Sequence, residues 1–260
     1  MTMNSAPNIG FDRRVRLDWL ERAAGLAING GSEPDIRRAL HEVLRIEGSG
    51  DDSRGAAARK KTVMILMRTW VVPRTELCRM HRHGLELVQR LPPDKHLPVH
   101  WGMVMAAYPF FSTVSEHVGR LLRLQGSAGS AQVQRRLRED LGDRQIVARA
   151  GRHVLRSLVD WGPLRDSDDK GVYRASGPQP IEDPELSSWL VEAAIRGNGA
   201  ASSPLATLVQ SPALFPFTLV LPPMTTLEAT GRLEVSRQGL DHDVVALSTR
   251  DRLDRLRMGR

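Results

Sequence analysis

The sequence predicts a mainly α protein of the α+β class: an N-terminal helical bundle, a winged helix-turn-helix, and a small C-terminal helix plus β-hairpin. Three observations predict it. From Phe11 to Gln125, apolar residues recur at the helical period and no alternating strand pattern interrupts them. Between 127 and 176, two helical stretches flank Gly142 and lead into a hairpin pattern. Beyond 176, prolines and glycines cut the chain into one helix and short strand-like runs. The expected organisation is 1–10 disordered, 11–125 helical bundle, 126–176 winged helix-turn-helix, and 177–260 a C-terminal α/β segment with a basic tail.

In chain order, residues 1–10 are polar and carry Pro7. Residues 11–29 predict a first helix with Val15, Leu17, Trp19, Leu20, Ala23, Ala24 and Ala27 on its apolar face, stopped by Asn29-Gly30-Gly31. Ser32 caps a second helix, with Pro34 in its first turn, running to about Ile46. Residues 48–55 are a glycine-rich loop. A third helix covers 56–72 and ends before Pro73. Residues 74–91 form another, closed by Pro92-Pro93, and two more cover 96–107 and 110–124.

The 127–176 stretch supports the most specific reading. Ser130 is an expected N-cap, and Val133, Leu137 and Leu141 make the apolar stripe of the helix it starts. Gly142 stands where a left-handed C-cap is wanted, and Asp143 is placed to cap the next helix. That helix, 144–161, divides cleanly. Val147, Gly151, Val154, Leu158 and Trp161 share one face. Gln145, Arg149, Arg152 and Arg156 share the other, with His153 at its edge, and no acid occurs between Arg144 and Ser157. Gly162-Pro163 ends it. Residues 164–166 and 172–174 predict two strands around the turn Asp168-Asp169-Lys170-Gly171.

Further on, 177–184 is a proline-rich connector and 185–196 a helix with Leu186, Trp189, Leu190 and Ala193 on one side. Residues 197–204 predict a small-residue loop, 205–210 a short helix, and 214–221 a strand. Residues 232–237 and 243–248 predict a terminal hairpin. The last eleven residues hold five Arg against two Asp, a basic tail.

Charge points to an anionic partner. Lys+Arg 37 against Asp+Glu 30 gives +7. Residues 130–157 carry seven Arg against Glu139, Asp140 and Asp143, so more than half of that excess falls in one short stretch. A helix-turn-helix with a hairpin wing places its second helix in the major groove, where arginine forks onto guanine or phosphate. The expected DNA contacts are Gln145, Arg149, Arg152, His153 and Arg156, with Arg135 and Lys170 beside them. The acidic wing tip, Asp166, Asp168 and Asp169, shifts the expected contact onto the helix.

No catalytic constellation emerges. Cys78, His81, His83, His96 and His100 are metal-ligand types, but His81 and His83 point to different helix faces and Pro92-Pro93 separates the two groups. No bound zinc, no cofactor and no enzyme activity are expected. Asp241-His242-Asp243 falls at an expected hairpin tip, as turn chemistry. P-loop, dinucleotide, nucleophile-elbow and zinc-protease motifs are absent. The lone Cys78 excludes an internal disulfide, and the apolar runs are too short to span a bilayer. These features predict a cytoplasmic protein.

The order of a helical N-terminal half, then RAGRHVLRSLVDWGPL with a hairpin, then SPALFPFTL and a closing β segment, resembles the BrxA-like proteins of bacterial phage-exclusion (BREX) systems. The likeness is one of order and size over about two thirds of the chain. It implies a small, helix-rich, non-enzymatic protein associated with double-stranded DNA and with other defence-system proteins. The expected function is therefore non-catalytic DNA binding, as a regulator or a DNA-engaging subunit. The alternative is a protein–protein adaptor that docks a partner through its winged helix.

Overall fold

Helices dominate the computed structural model, which describes residues 9–47, 53–238 and 242–248. Its strands are confined to three small sheets, an α+β architecture. The N-terminal helices are α1 (Leu17–Ile28), α2 (Glu33–Glu47), α3 (Ser53–Trp70), α4 (Cys78–Arg90), α5 (Leu97–Ala107) and α6 (Pro109–Gln125). Each has the polar-to-apolar periodicity expected of it except α5, which is buried at every position.

The first helix starts later than its apolar pattern predicts. Residues 11–16 precede α1, and Arg16, its N-cap, is extended. The reason is tertiary. Val15 donates its N–H to Ser157 Oγ at 2.9 Å and accepts the Trp161 indole N–H at 2.9 Å. Those bonds satisfy both backbone groups of Val15 without a helix. Phe11 is fully buried, 5.4 Å from Phe111 and 5.5 Å from Tyr108 between ring centres. Ile9, expected in a disordered tail, is also buried, while residues 1–8 lie outside the described residues. Ser157→Ala leaves the buried Val15 N–H without its acceptor. An expected cost of about 1–3 kcal/mol follows, to be read from denaturant midpoints.

The centre of the molecule is the pair formed by α5 and α9 (Pro184–Gly197). Leu186 to Gly197 is buried throughout, so α9 is a core helix and not the amphipathic one that its sequence suggests. Trp189 explains two glycines. A Cβ on Gly102 would sit 2.4 Å from the Trp189 Nε1, and one on Gly84 would sit 2.7 Å from the same ring. Only hydrogen leaves room for the indole there. The charged groups that α9 buries are paired. Glu192 accepts from Arg196 at 2.9 Å and from Arg232 at 2.7 Å, and Arg196 also donates to the Glu76 carbonyl. Two buried cations thus share one buried anion, which meets the pairing that charges in a low-dielectric interior require.

After α6 come β1 (Ala128–Gly129), α7 (Ser130–Leu141), α8 (Gln145–Asp160), β2 (Leu164–Asp166) and β3 (Val172–Ala175). The strands form one antiparallel sheet in the order β1-β3-β2, with Leu164 opposite Ala175 and Asp166 opposite Tyr173. Three local expectations are corrected. Ser130 is the first helical residue and not the cap; the Gln132 side chain accepts the Gly129 N–H at 3.0 Å. Gly142 has φ 83 and ψ 159, a positive-φ conformation outside the left-handed helical region. Asp143 makes no cap bond; Arg144 is the N-cap of α8, without a side-chain cap.

The C-terminal part adds β4 (Gln179–Ile181), β5 (Ser202–Pro204), α10 (Leu205–Val209), β6 (Phe217–Leu219), α11 (Met224–Ala229), β7 (Leu233–Gln238) and β8 (His242–Leu247). β4 and β6 pair in parallel, and β5-β8-β7 form an antiparallel sheet. β4 and β5 fall in stretches expected as connector and loop. Each is three residues long and contains proline, so no alternation marks it. The segment before β6 wraps the bundle: Ala213 accepts the Trp101 indole N–H at 3.1 Å, and Phe215 and Phe217 each lie 5.5 Å from the Trp101 ring. Asp241 and residues 249–260, including the whole expected basic tail, lie outside the described residues. Among the described residues, no helix is long and apolar enough to cross a membrane.

Candidate nucleic-acid interface

Helix α8 is amphipathic because apolar side chains recur every three or four residues on one side and arginines on the other. The buried side holds Val147, Gly151, Val154, Leu158 and Trp161, as its spacing predicts, and extends to Ala150, Leu155 and Ser157. Gly151 is the contact point with α7, where a Cβ would lie 2.7 Å from Leu137 Cδ1. Val133 and Leu137 of α7 are fully buried against it.

Seven residues are predicted to contact DNA, and the structure sorts them into three groups. Gln145, Arg149 and Arg152 are exposed and line one open groove together with Ile146 and Ala148. Lys170 lies in the hairpin turn and lines a second groove with Ser130, Gln134, Gly171 and Val172. Arg152 borders both grooves and so joins the helix face to the hairpin turn. The turn is pinned there, since Ser130 donates its N–H to the Gly171 carbonyl at 2.7 Å.

The other three are placed differently. Arg156 donates to both oxygens of Asp166 at 3.1 Å. That bond, more than any other influence, strengthens its hold on the proton, and it occupies one edge of the guanidinium. His153 is half-buried toward the N-terminal segment. Burial first, and the nearby Arg13 second, push its pKa down, so it is neutral at pH 7. Arg135 is exposed on α7 and stands 3.7 Å from Glu139.

Ile146 was not among the expected contacts. It is 42% exposed in the middle of the arginine groove. Its sequence signal is an apolar residue beside Gln145 on the polar side of the helix. Near the N-terminus basic residues meet acids: Arg13 and Lys61 pair with Asp12, Arg14 with Asp160 at 2.6 Å, and Arg16 with Asp18.

The five metal-ligand types of the sequence do not converge. Cys78 is exposed, and His81 packs 5.9 Å from the Trp70 ring. His83 joins Glu185 at 2.6 Å and also takes a bond from Arg232. His96 and His100 share a separate location beside Glu21. Asp243 of the acid–His–acid triplet stands 3.9 Å from Arg237 in the terminal hairpin.

No protein-family model matches the chain, and neither a curated protein nor a solved structure does.

Proposed function

We propose that the chain is a non-catalytic DNA-binding protein and that residues 126–176 act as a winged helix-turn-helix, with α8 as the helix that enters the major groove. The observation that carries this reading is the groove of Gln145, Arg149 and Arg152 on one exposed helix face, continued by Arg152 toward Lys170. Guanidinium forks suit guanine edges and phosphate oxygens equally, so one face serves for both positioning and base contact. Phage defence, in company with other defence-system proteins, is the setting that the order of elements shared with BrxA-like proteins adds to it.

The test is a titration of random duplex DNA at rising salt. Binding through this face weakens steeply as salt rises, because displaced counterions are the driving force. Affinity that is absent, or flat against salt, rejects the proposal.

A second reading has one observation in its favour. Ile146 gives the groove an apolar centre, which suits a protein partner docking on α8. Protein docking there resists salt, and the same titration design separates the two.

The hairpin turn provides a control. Asp168 and Asp169 are exposed and their charges oppose phosphate. Asp168→Asn/Asp169→Asn is expected to bind duplex DNA at least as tightly as wild type, measured by fluorescence anisotropy. Weaker binding indicates that the turn contributes something other than charge.

A further inference from the structure

We propose that Glu21, His96 and His100 form a binding site for one divalent transition-metal cation of the zinc class, independent of the DNA reading. The residues come from two places. Glu21 lies in α1; His96 is the N-cap of α5 and His100 is one turn further on. Among the described residues this is the only group of three His, Cys, Asp or Glu whose ligand atoms all lie within 4.8 Å of one another.

Proton accounting leaves a place for a cation between Glu21 and His96. His96 Nε2 is 2.9 Å from the Leu91 carbonyl, which can only accept, so the ring proton belongs on Nε2. Nδ1 then presents a lone pair to both oxygens of Glu21, at 2.8 and 3.1 Å. Two acceptors face each other there, and a proton, on the ring or on the carboxyl, or a metal must separate them. A ring N–H held by a backbone carbonyl, with the other nitrogen free, is the usual orientation of a metal-bound histidine.

His100 is the independent observation. It is fully buried, and neither ring nitrogen makes a hydrogen bond. Its Nε2 nevertheless points at Glu21, 3.1 Å from Oε1, out of line for a hydrogen bond. An unpartnered buried nitrogen is costly, and coordination supplies its partner. The spacing fits as well. Two ligands at about 2.0–2.1 Å from a tetrahedral zinc stand roughly 3.3 Å apart, near the 3.1 Å between His100 Nε2 and Glu21 Oε1. Two imidazoles and a carboxylate are three of four zinc ligands, and Glu21, with 34% of its side chain exposed, leaves the fourth position to water. The ion ties α1 to α5.

The tag-free full chain, stripped with chelator and dialysed, is titrated with Zn²⁺ against a chromophoric chelator. One equivalent is expected. Glu21→Gln, which keeps the shape but removes the anionic ligand, is expected to weaken binding by more than about 100-fold with an unchanged circular dichroism spectrum. X-ray absorption at the zinc edge of the loaded wild type is expected to show two imidazoles and oxygen donors. No stoichiometric binding, wild-type affinity in Glu21→Gln, or sulfur in the shell from Cys78 each overturns the proposal. Should Glu21→Gln fail to fold, the absorption spectrum of the wild type decides alone.

Discussion

The Arg149→Ala/Arg152→Ala variant is expected to lose most of its duplex DNA binding at physiological salt while melting like wild type. Both side chains are exposed and line the groove on α8, so their removal empties no core. Each phosphate contact removed takes a counterion-release contribution with it, and the slope of log affinity against log salt should flatten by about one unit per contact. A guanidinium that forks onto guanine shows itself differently, by a cost of about 1–3 kcal/mol confined to one base position. Arg152 carries the greater consequence, because it alone borders both grooves. Arg156→Ala is the contrasting case. Its guanidinium is already committed to Asp166, so its loss should weaken DNA binding less. A double variant with wild-type affinity and salt slope transfers the lead to the adaptor reading.

Trp161→Ala is expected to destabilise the protein by about 3–5 kcal/mol, measured by chemical denaturation. Trp161 is 4% exposed, and its ring lies 5.4 Å from Phe111 and 6.0 Å from Trp101. Its indole N–H is also the donor to Val15. Truncation therefore opens a cavity between α8, α5 and α6 and orphans a buried carbonyl. The alignment of Trp161 with Val147, Val154 and Leu158 predicts burial, and its ring contacts are with the bundle. An unchanged denaturation midpoint contradicts this packing.

Legibility followed the range of the interactions concerned. The helices α7 and α8 and the hairpin strands β2 and β3 appear within a residue or so of where periodicity and turn residues put them. The two faces of α8 were equally legible, because side chains three and four positions apart share a helix face whatever surrounds them. Cap details were not. Several side-chain acceptors compete for the free N–H groups at a helix start, and it is the Gln132 side chain that takes the Gly129 N–H. The strands β4 and β5 were hidden because three residues carry too little alternation to register, and each is held by a partner far along the chain.

The sequence by itself determined the helical class, the run of elements, the division of α8 into a core side and a cationic side, and the placement of Gln145, Arg149 and Arg152 together. Only the tertiary structure decided that residues 11–16 stay out of helix, that α9 is the buried centre, that Asp166 occupies Arg156, and that Glu21 meets His96 and His100. The physical reason is separation along the chain. Helix faces and tight turns depend on neighbours a few residues away, which local pattern records. Val15 with Trp161, 146 residues apart, and Glu21 with His96, 75 apart, meet only where packed helices bring them together, and no local pattern carries that information.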